Sequence, residues 1–189
     1  MCSPHQGRNR VSPLCRFGRL FEASDALDQI HAILNNTTEE DTIDVDELIS
    51  AIQTSVNLQA LLCEEIGDEN QLYAGGLNLC QIGLLLTFEH GTKQPPAPDG
   101  SAHSSSEATT SLFTILSSLT DSVELFTLDI PTIDYNCLPP FVVFLAYKAA
   151  ALATQRLWLD KDTNEGLRKL RILRKFLAVV GERWLSGSQ

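Results

Sequence analysis

The sequence predicts an all-α protein, a single irregular multi-helix bundle of about six helices with one disordered Pro/Ser-rich insertion. Three observations lead there. Apolar residues recur at three- and four-residue steps along nearly the whole chain, and no strand-period alternation runs longer than a few residues. The 189 residues, 43% of them apolar, are enough for one domain with its own core rather than two.

Taken in order, residues 1–19 carry Arg8, Arg10, Arg16 and Arg19 without an acid and read as a basic, disordered and solvated arm, with contact to phosphate as the alternative. The helical domain is expected over 20–187. Its first helix places Leu20, Ala23, Leu27, Ile30, Ile33 and Leu34 on one face and stops at the polar turn Asn35-Asn36-Thr37-Thr38. A second starts at Asp44, whose carboxylate caps free N–H groups while Glu47 stands three positions on, as in a capping box. Val45, Leu48, Ile49, Ile52, Val56, Cys63 and Ile66 form its stripe, Leu58, Leu61 and Leu62 broaden it, and Gly67-Asp68 closes it.

The third helix, Gln71 to His90, is apolar almost all round, from Leu77 and Leu79 through Cys80, Ile82 and Leu84 to Phe88, and therefore should be central. Gly75-Gly76 near its start costs about 1 kcal/mol per glycine or permits a close helix crossing. Gly91 to Ser106 has no large apolar side chain, which predicts a flexible loop at about 91–108. Leu112, Ile115, Leu116, Leu119, Val123 and Phe126 make a fourth helix ending before Pro131. Pro139-Pro140 suits the first turn of a fifth, where a missing N–H costs nothing; it carries Phe141, Phe144, Leu145, Ala149, Leu152 and Ala153. The sixth, from near Asn164, aligns Leu167, Leu170, Leu173, Leu177, Val180 and Trp184 on a seam, with Arg168, Lys169, Arg171, Arg174 and Lys175 elsewhere. Those five cations can form a solvated face, dock an acidic partner, or pair with the acidic half of the same chain.

Charge is unevenly spread. The net −10 resolves into 20 acids against the single base Lys93 over residues 20–147, and nine bases against four acids over 148–189. An acidic body repels phosphate backbones, so direct nucleic-acid binding by the core is not expected. Cys2, Cys15, Cys63, Cys80 and Cys137 contain no C-x-x-C pair, and Cys63 and Cys80 sit among leucines as small buried hydrophobes. The start of the chain shows no apolar signal segment, so an intracellular, reducing setting is expected and the Asn35 and Asn36 sequons are chance matches. Phe141 to Thr154, interrupted by Lys148, is too short for a membrane span and reads as a core helix.

Catalytic signatures are missing. His5, His31, His90 and His103 are scattered, and the chain contains no H-E-x-x-H, phosphate-binding glycine loop or G-x-S-x-G. Glu40-Asp41-Thr42-Ile43-Asp44 has the acid spacing of the magnesium motif in helical terpene cyclases, but no Asn has Ser four and Glu eight residues later, and Asp44 is better explained as a helix cap. No catalytic, cofactor-binding or metal-binding residue is assigned.

The last third does carry a pattern. Pro139-Pro140-Phe141 and Leu145-Ala146-Tyr147-Lys148-Ala149-Ala150, a polar spacer, then Leu167, Leu170, Leu173, Leu177 and Arg183-Trp184-Leu185 resembles the closing helices of the fungal-specific transcription factor domain. That domain is the regulatory middle homology region of fungal Zn2Cys6 binuclear-cluster proteins. The likeness covers about residues 110–185, and the apolar helix at 77–88 ahead of a Pro/Ser-rich insertion agrees loosely. It rests on hydrophobic motifs rather than catalytic ones. The resemblance implies nuclear transcriptional regulation through contacts with other proteins of the transcription machinery or through self-association, without catalysis or a cofactor. The family's DNA-binding module needs six closely spaced cysteines, whereas only Cys2 and Cys15 stand ahead of the regulatory region here. Two readings follow: a carboxyl-terminal or truncated piece of a longer factor, or a stand-alone regulatory relative. A rival from another class is a non-enzymatic helical scaffold or oligomerisation module.

Overall fold

The computed structural model describes residues 16–35, 45–66, 71–93, 102–128, 137–157 and 163–186. Six helices account for nearly all of them: α1 Arg16–Asn35, α2 Val45–Ile66, α3 Gly75–Lys93, α4 Ala102–Leu128, α5 Pro140–Leu157 and α6 Thr163–Ser186, with a short 3-10 turn at Gln71–Tyr73 ahead of α3. Among the described residues there is no strand. None of these helices is long and apolar enough to cross a membrane.

α3 is the centre because its sequence allows no other place. Leu77, Leu79, Cys80, Ile82, Leu84 and Leu85 are all buried, and six apolar side chains in nine positions point in every direction around a helix. At about 1.5–3 kcal/mol for each fully buried leucine-sized side chain, only enclosure on all sides is stable. Accordingly α1, α2, α4 and α5 all pack on α3, α1 also pairing with α2, and α6 packs on α4 and α5.

Contacts fix the directions. Leu20 and Ile30 of α1 approach Gly75 and Gly83 of α3, so these two helices run parallel. Arg19 at the start of α1 reaches Glu65 at the end of α2, while Ile33 joins Ala51 in a small core, making that pair antiparallel. Pro139 and Phe141 stand beside Gly75, and Lys148 pairs with Glu89, which aligns α5 with α3. Lys169 meets Ser117 and Phe176 meets Phe126, so α6 follows α4. The chain reverses at each connection in an up-down array.

The predicted close crossing at Gly75-Gly76 is present. A Cβ on Gly76 would stand 3.3 Å from the Arg19 carbonyl oxygen, and one on Gly83 would stand 3.0 Å from Ile30 Cδ1. Glycine at these two positions lets α1 lie directly on the α3 backbone. Beside the start of α3, Phe126 is fully buried between Tyr73 and Phe176, each ring 5.7 Å away and edge-on.

Several expectations need correction. Arg16–Arg19 belong to α1, not to a solvated arm, and Arg19 is only 6% exposed. Its guanidinium donates to Glu65 at 2.7 Å and to Glu22 at 2.9 Å, which holds its proton more firmly than usual, the Glu65 hydrogen bonds contributing most. Of the segment 91–108, α3 takes the residues up to Lys93 and α4 begins at Ala102; 94–101 lie outside the described residues. Ile49, Val56 and Phe144 face solvent, because the neighbours of α2 are α1 and α3, and α5 turns Leu145, Ala146 and Ala149 inward. The α6 seam runs through Leu173, Phe176 and Val180, leaving Leu167 at 39% exposure. The side chains of Val45 and Trp184, and residues Asp44 and Gly67-Asp68, lie outside the description.

Candidate functional site

A concavity lies along the outside of α4. The inward stripe of this helix (Leu112, Ile115, Leu116, Leu119, Val123, Phe126) is buried in the core. That leaves Thr110, Phe113, Thr114, Ser117, Ser118, Asp121, Ser122 and Leu125 on the other side, where with Gln71 they line an open groove of about 610 Å³. Serine and threonine are tolerated in mid-helix here because their hydroxyls bond back to carbonyls one turn earlier. Thr114 donates to the Thr110 carbonyl at 3.1 Å and Ser122 to that of Ser118 at 2.9 Å.

α6 supplies the groove's charged margin. Lys169 Nζ lies 2.6 Å from Ser117 Oγ and 5.6 Å from the centroid of the Phe113 ring, a cation over an aromatic face. Arg168 donates to Glu124 Oε2 at 2.7 Å and to Glu165 Oε2 at 3.1 Å, and approaches Asp121 Oδ1 at 3.8 Å. The Glu165 carboxyl is accordingly held below its ordinary range, chiefly by its hydrogen bond from Arg168.

This divides the five cations that the sequence left ambiguous. Arg168 and Lys169 turn to the chain's own carboxylates, as an intramolecular pairing requires. Arg171, Arg174 and Lys175 are exposed and have no ion-pair partner among the described residues.

The groove is lined by alcohols, one amide, one carboxylate and two apolar side chains, with neither histidine nor cysteine in the lining. Such a surface can hold a partner by hydrogen bonds and apolar contact. The ionisable groups nearest these alcohols are Asp121 in the lining and Lys169, whose Nζ donates to Ser117 Oγ. Among the described residues no group of three or more His, Cys, Asp or Glu could hold a metal ion. Cys80 is buried and its thiol is pushed up to about 12, while half-buried Cys63 is raised by the same desolvation. Both therefore stay protonated and unreactive at neutral pH. Cys137 is exposed. His31 touches Asn35 on the outside of α1, and the Glu40-Asp41 pair, Asp44, His5, Cys2 and Cys15 lie outside the described residues. Sequence reading assigned no site and missed the α4 groove; its only trace is the run of hydroxyl residues opposite the α4 apolar stripe.

Exposed aromatic side chains are the second notable surface feature. Phe17 and Phe21 on α1 are 77% and 69% exposed, and Phe144 and Tyr147 on α5 are 50% and 64% exposed. No protein family, curated protein or solved structure matches the chain.

Proposed function

We propose that this chain is a non-catalytic, transcription-regulatory helical domain of the fungal transcription factor type, acting in the nucleus through contacts with other proteins and without a DNA-binding cluster of its own. The observation that carries the reading is the pattern over 139–185: a proline-led helix with Phe141 ahead of the Ala149-Ala150 pair, followed by an amphipathic helix that closes the domain. Its motif residues have a packing role consistent with a domain signature. Leu145, Ala146 and Ala149 are fully buried in the core that also holds Leu173 and Phe176. Small side chains at Ala146 and Ala149 suit the close packing of α5 on α3 and α6, and leucine-sized replacements there would overpack the core. An open, hydroxyl-rich groove and exposed aromatics suit recognition of proteins better than turnover of a substrate.

Binding to duplex DNA tests the reading. The acidic body predicts no specific complex of the purified chain at physiological salt. A sequence-specific, salt-sensitive complex, or exclusion of the tagged chain from nuclei of a fungal host, would refute it. The exposed Phe17, Phe21, Phe144 and Tyr147 also favour a second reading as a non-enzymatic scaffold, which predicts stable assembly without any effect on transcription.

A further inference from the structure

α1 and α6 pack on different helices: α1 on α2 and α3, α6 on α4 and α5. Each turns a stripe outward. On α1, Phe21 is 69% exposed, and Asp25 and Asp28 continue the same face in solvent. On α6, Leu167 is 39% exposed, and Arg171 and Arg174 continue its face with Lys175 beside them. Both stripes place an apolar side chain first and charges four and seven positions later, the spacing that keeps residues on one helical face. Only the sign differs, carboxylates on one and guanidinium groups on the other.

Neither set is satisfied within the molecule. Among the described residues Asp25 accepts a hydrogen bond from Gln29 of its own helix at 3.0 Å, and neither Asp28 nor the three cations have an ion-pair partner. The other cations of α6 show what this helix does with carboxylates in reach, since Arg168 takes Glu124 and Glu165. Asp25 and Asp28 form no ion pair with these cations within the molecule, and α1 and α6 pack on different helices, so pairing the two stripes takes a second molecule.

We propose that copies of this chain associate head to tail, the outer stripe of α1 on one copy seated against the outer stripe of α6 on the next. With the two helices parallel and in register, Phe21 covers Leu167, Asp25 meets Arg171, and Asp28 meets Arg174 and Lys175. The net charge of −10 repels copies at long range. At physiological ionic strength charges are screened beyond about 8 Å, so the complementary contact outweighs that repulsion. Exposed ion pairs are individually weak, which makes the association weak and salt-sensitive. Because each copy carries both stripes, the contact is heterologous and builds rings where its rotation closes and open chains where it does not.

Sedimentation velocity on the full chain tests this. The weight-average sedimentation coefficient should rise with concentration at physiological salt and stay at the monomer value at severalfold higher salt. The triple charge reversal Arg171→Glu, Arg174→Glu, Lys175→Glu should be monomeric, as should Asp25→Lys with Asp28→Lys, each with unchanged circular dichroism. Mixed, the two variants should associate again, since each supplies the surface the other has lost. Phe21→Ser, which alters no charge, should weaken association by itself. A wild-type chain that stays monomeric at every concentration would overturn the proposal. So would association that persists in both charge variants, or a mixture that remains monomeric.

Discussion

Phe126 and Leu125 are neighbours in sequence and opposites in structure. The Phe126 ring is 0% exposed between Tyr73 and Phe176, whereas Leu125 is 67% exposed at the margin of the α4 groove. A buried phenylalanine covers about 200 Å². At about 25 cal/mol per Å² its complete removal has an upper bound near 5 kcal/mol. Alanine keeps one carbon, but the space left behind does not collapse fully, so Phe126→Ala should cost about 3–5 kcal/mol. Leu125→Ala removes side-chain surface that is already largely in water and should stay within about 0.5 kcal/mol. Urea unfolding followed by far-ultraviolet circular dichroism reads both changes from the midpoint at constant slope. The pairwise part is separable: a double-mutant cycle between Phe126→Leu and Phe176→Leu should return about 0.5–1.5 kcal/mol of coupling for the edge contact. Equal costs for Phe126→Ala and Leu125→Ala would refute the placement of α4, and zero coupling would refute its contact with α6.

Two further predictions concern ionisable groups. Arg19→Ala should lower the thermal midpoint clearly, because it strands Glu65 and Glu22, whereas Arg171→Ala, at an exposed and unpaired position, should leave it nearly unchanged; differential scanning calorimetry of the two variants checks this. Alkaline pH should destabilise the fold through Cys80, whose thiol is pushed up to about 12 by burial. The folded state holds that proton more tightly than the unfolded chain, whose thiol ionises near about 8.5. Stability from this group is therefore intact below that pH and declines as pH rises toward 12. Cys80→Ala should be less stable at neutral pH yet show a shallower alkaline decline in urea midpoints; parallel curves for the two proteins would contradict the assignment.

The architecture was legible where a helix has a single large apolar signal. α3 announces its central place through leucines on all sides, and the α4 stripe from Leu112 to Phe126 is buried at every predicted position. α2 was less legible, because small residues carry its contact with α1. Ala51 and Ser55 face inward without registering as hydrophobic, while Ile49 and Val56 do register and face solvent. Phe176 escaped notice because α6 packs on both α4 and α5, so its buried face is wider than one seam. Arg19 could not be told apart from the arginines before it, since its partner Glu65 is 46 residues away and becomes adjacent only when α1 and α2 pair. The groove was invisible for a related reason: a row of hydroxyls on α4 gains meaning only once Lys169 and Gln71 arrive from other elements.

We infer that this helical domain regulates transcription by contacting proteins rather than DNA. Tethering tests it most directly: the chain is fused to an unrelated DNA-binding module and the output of a reporter carrying that module's site is measured in a fungal host. Reporter output should change relative to the module alone, and the change should shrink when Phe113 and Leu125 in the α4 groove are replaced by serine at equal protein level. Reporter output identical to that of the module alone, with the fusion folded and present in the nucleus, would contradict it.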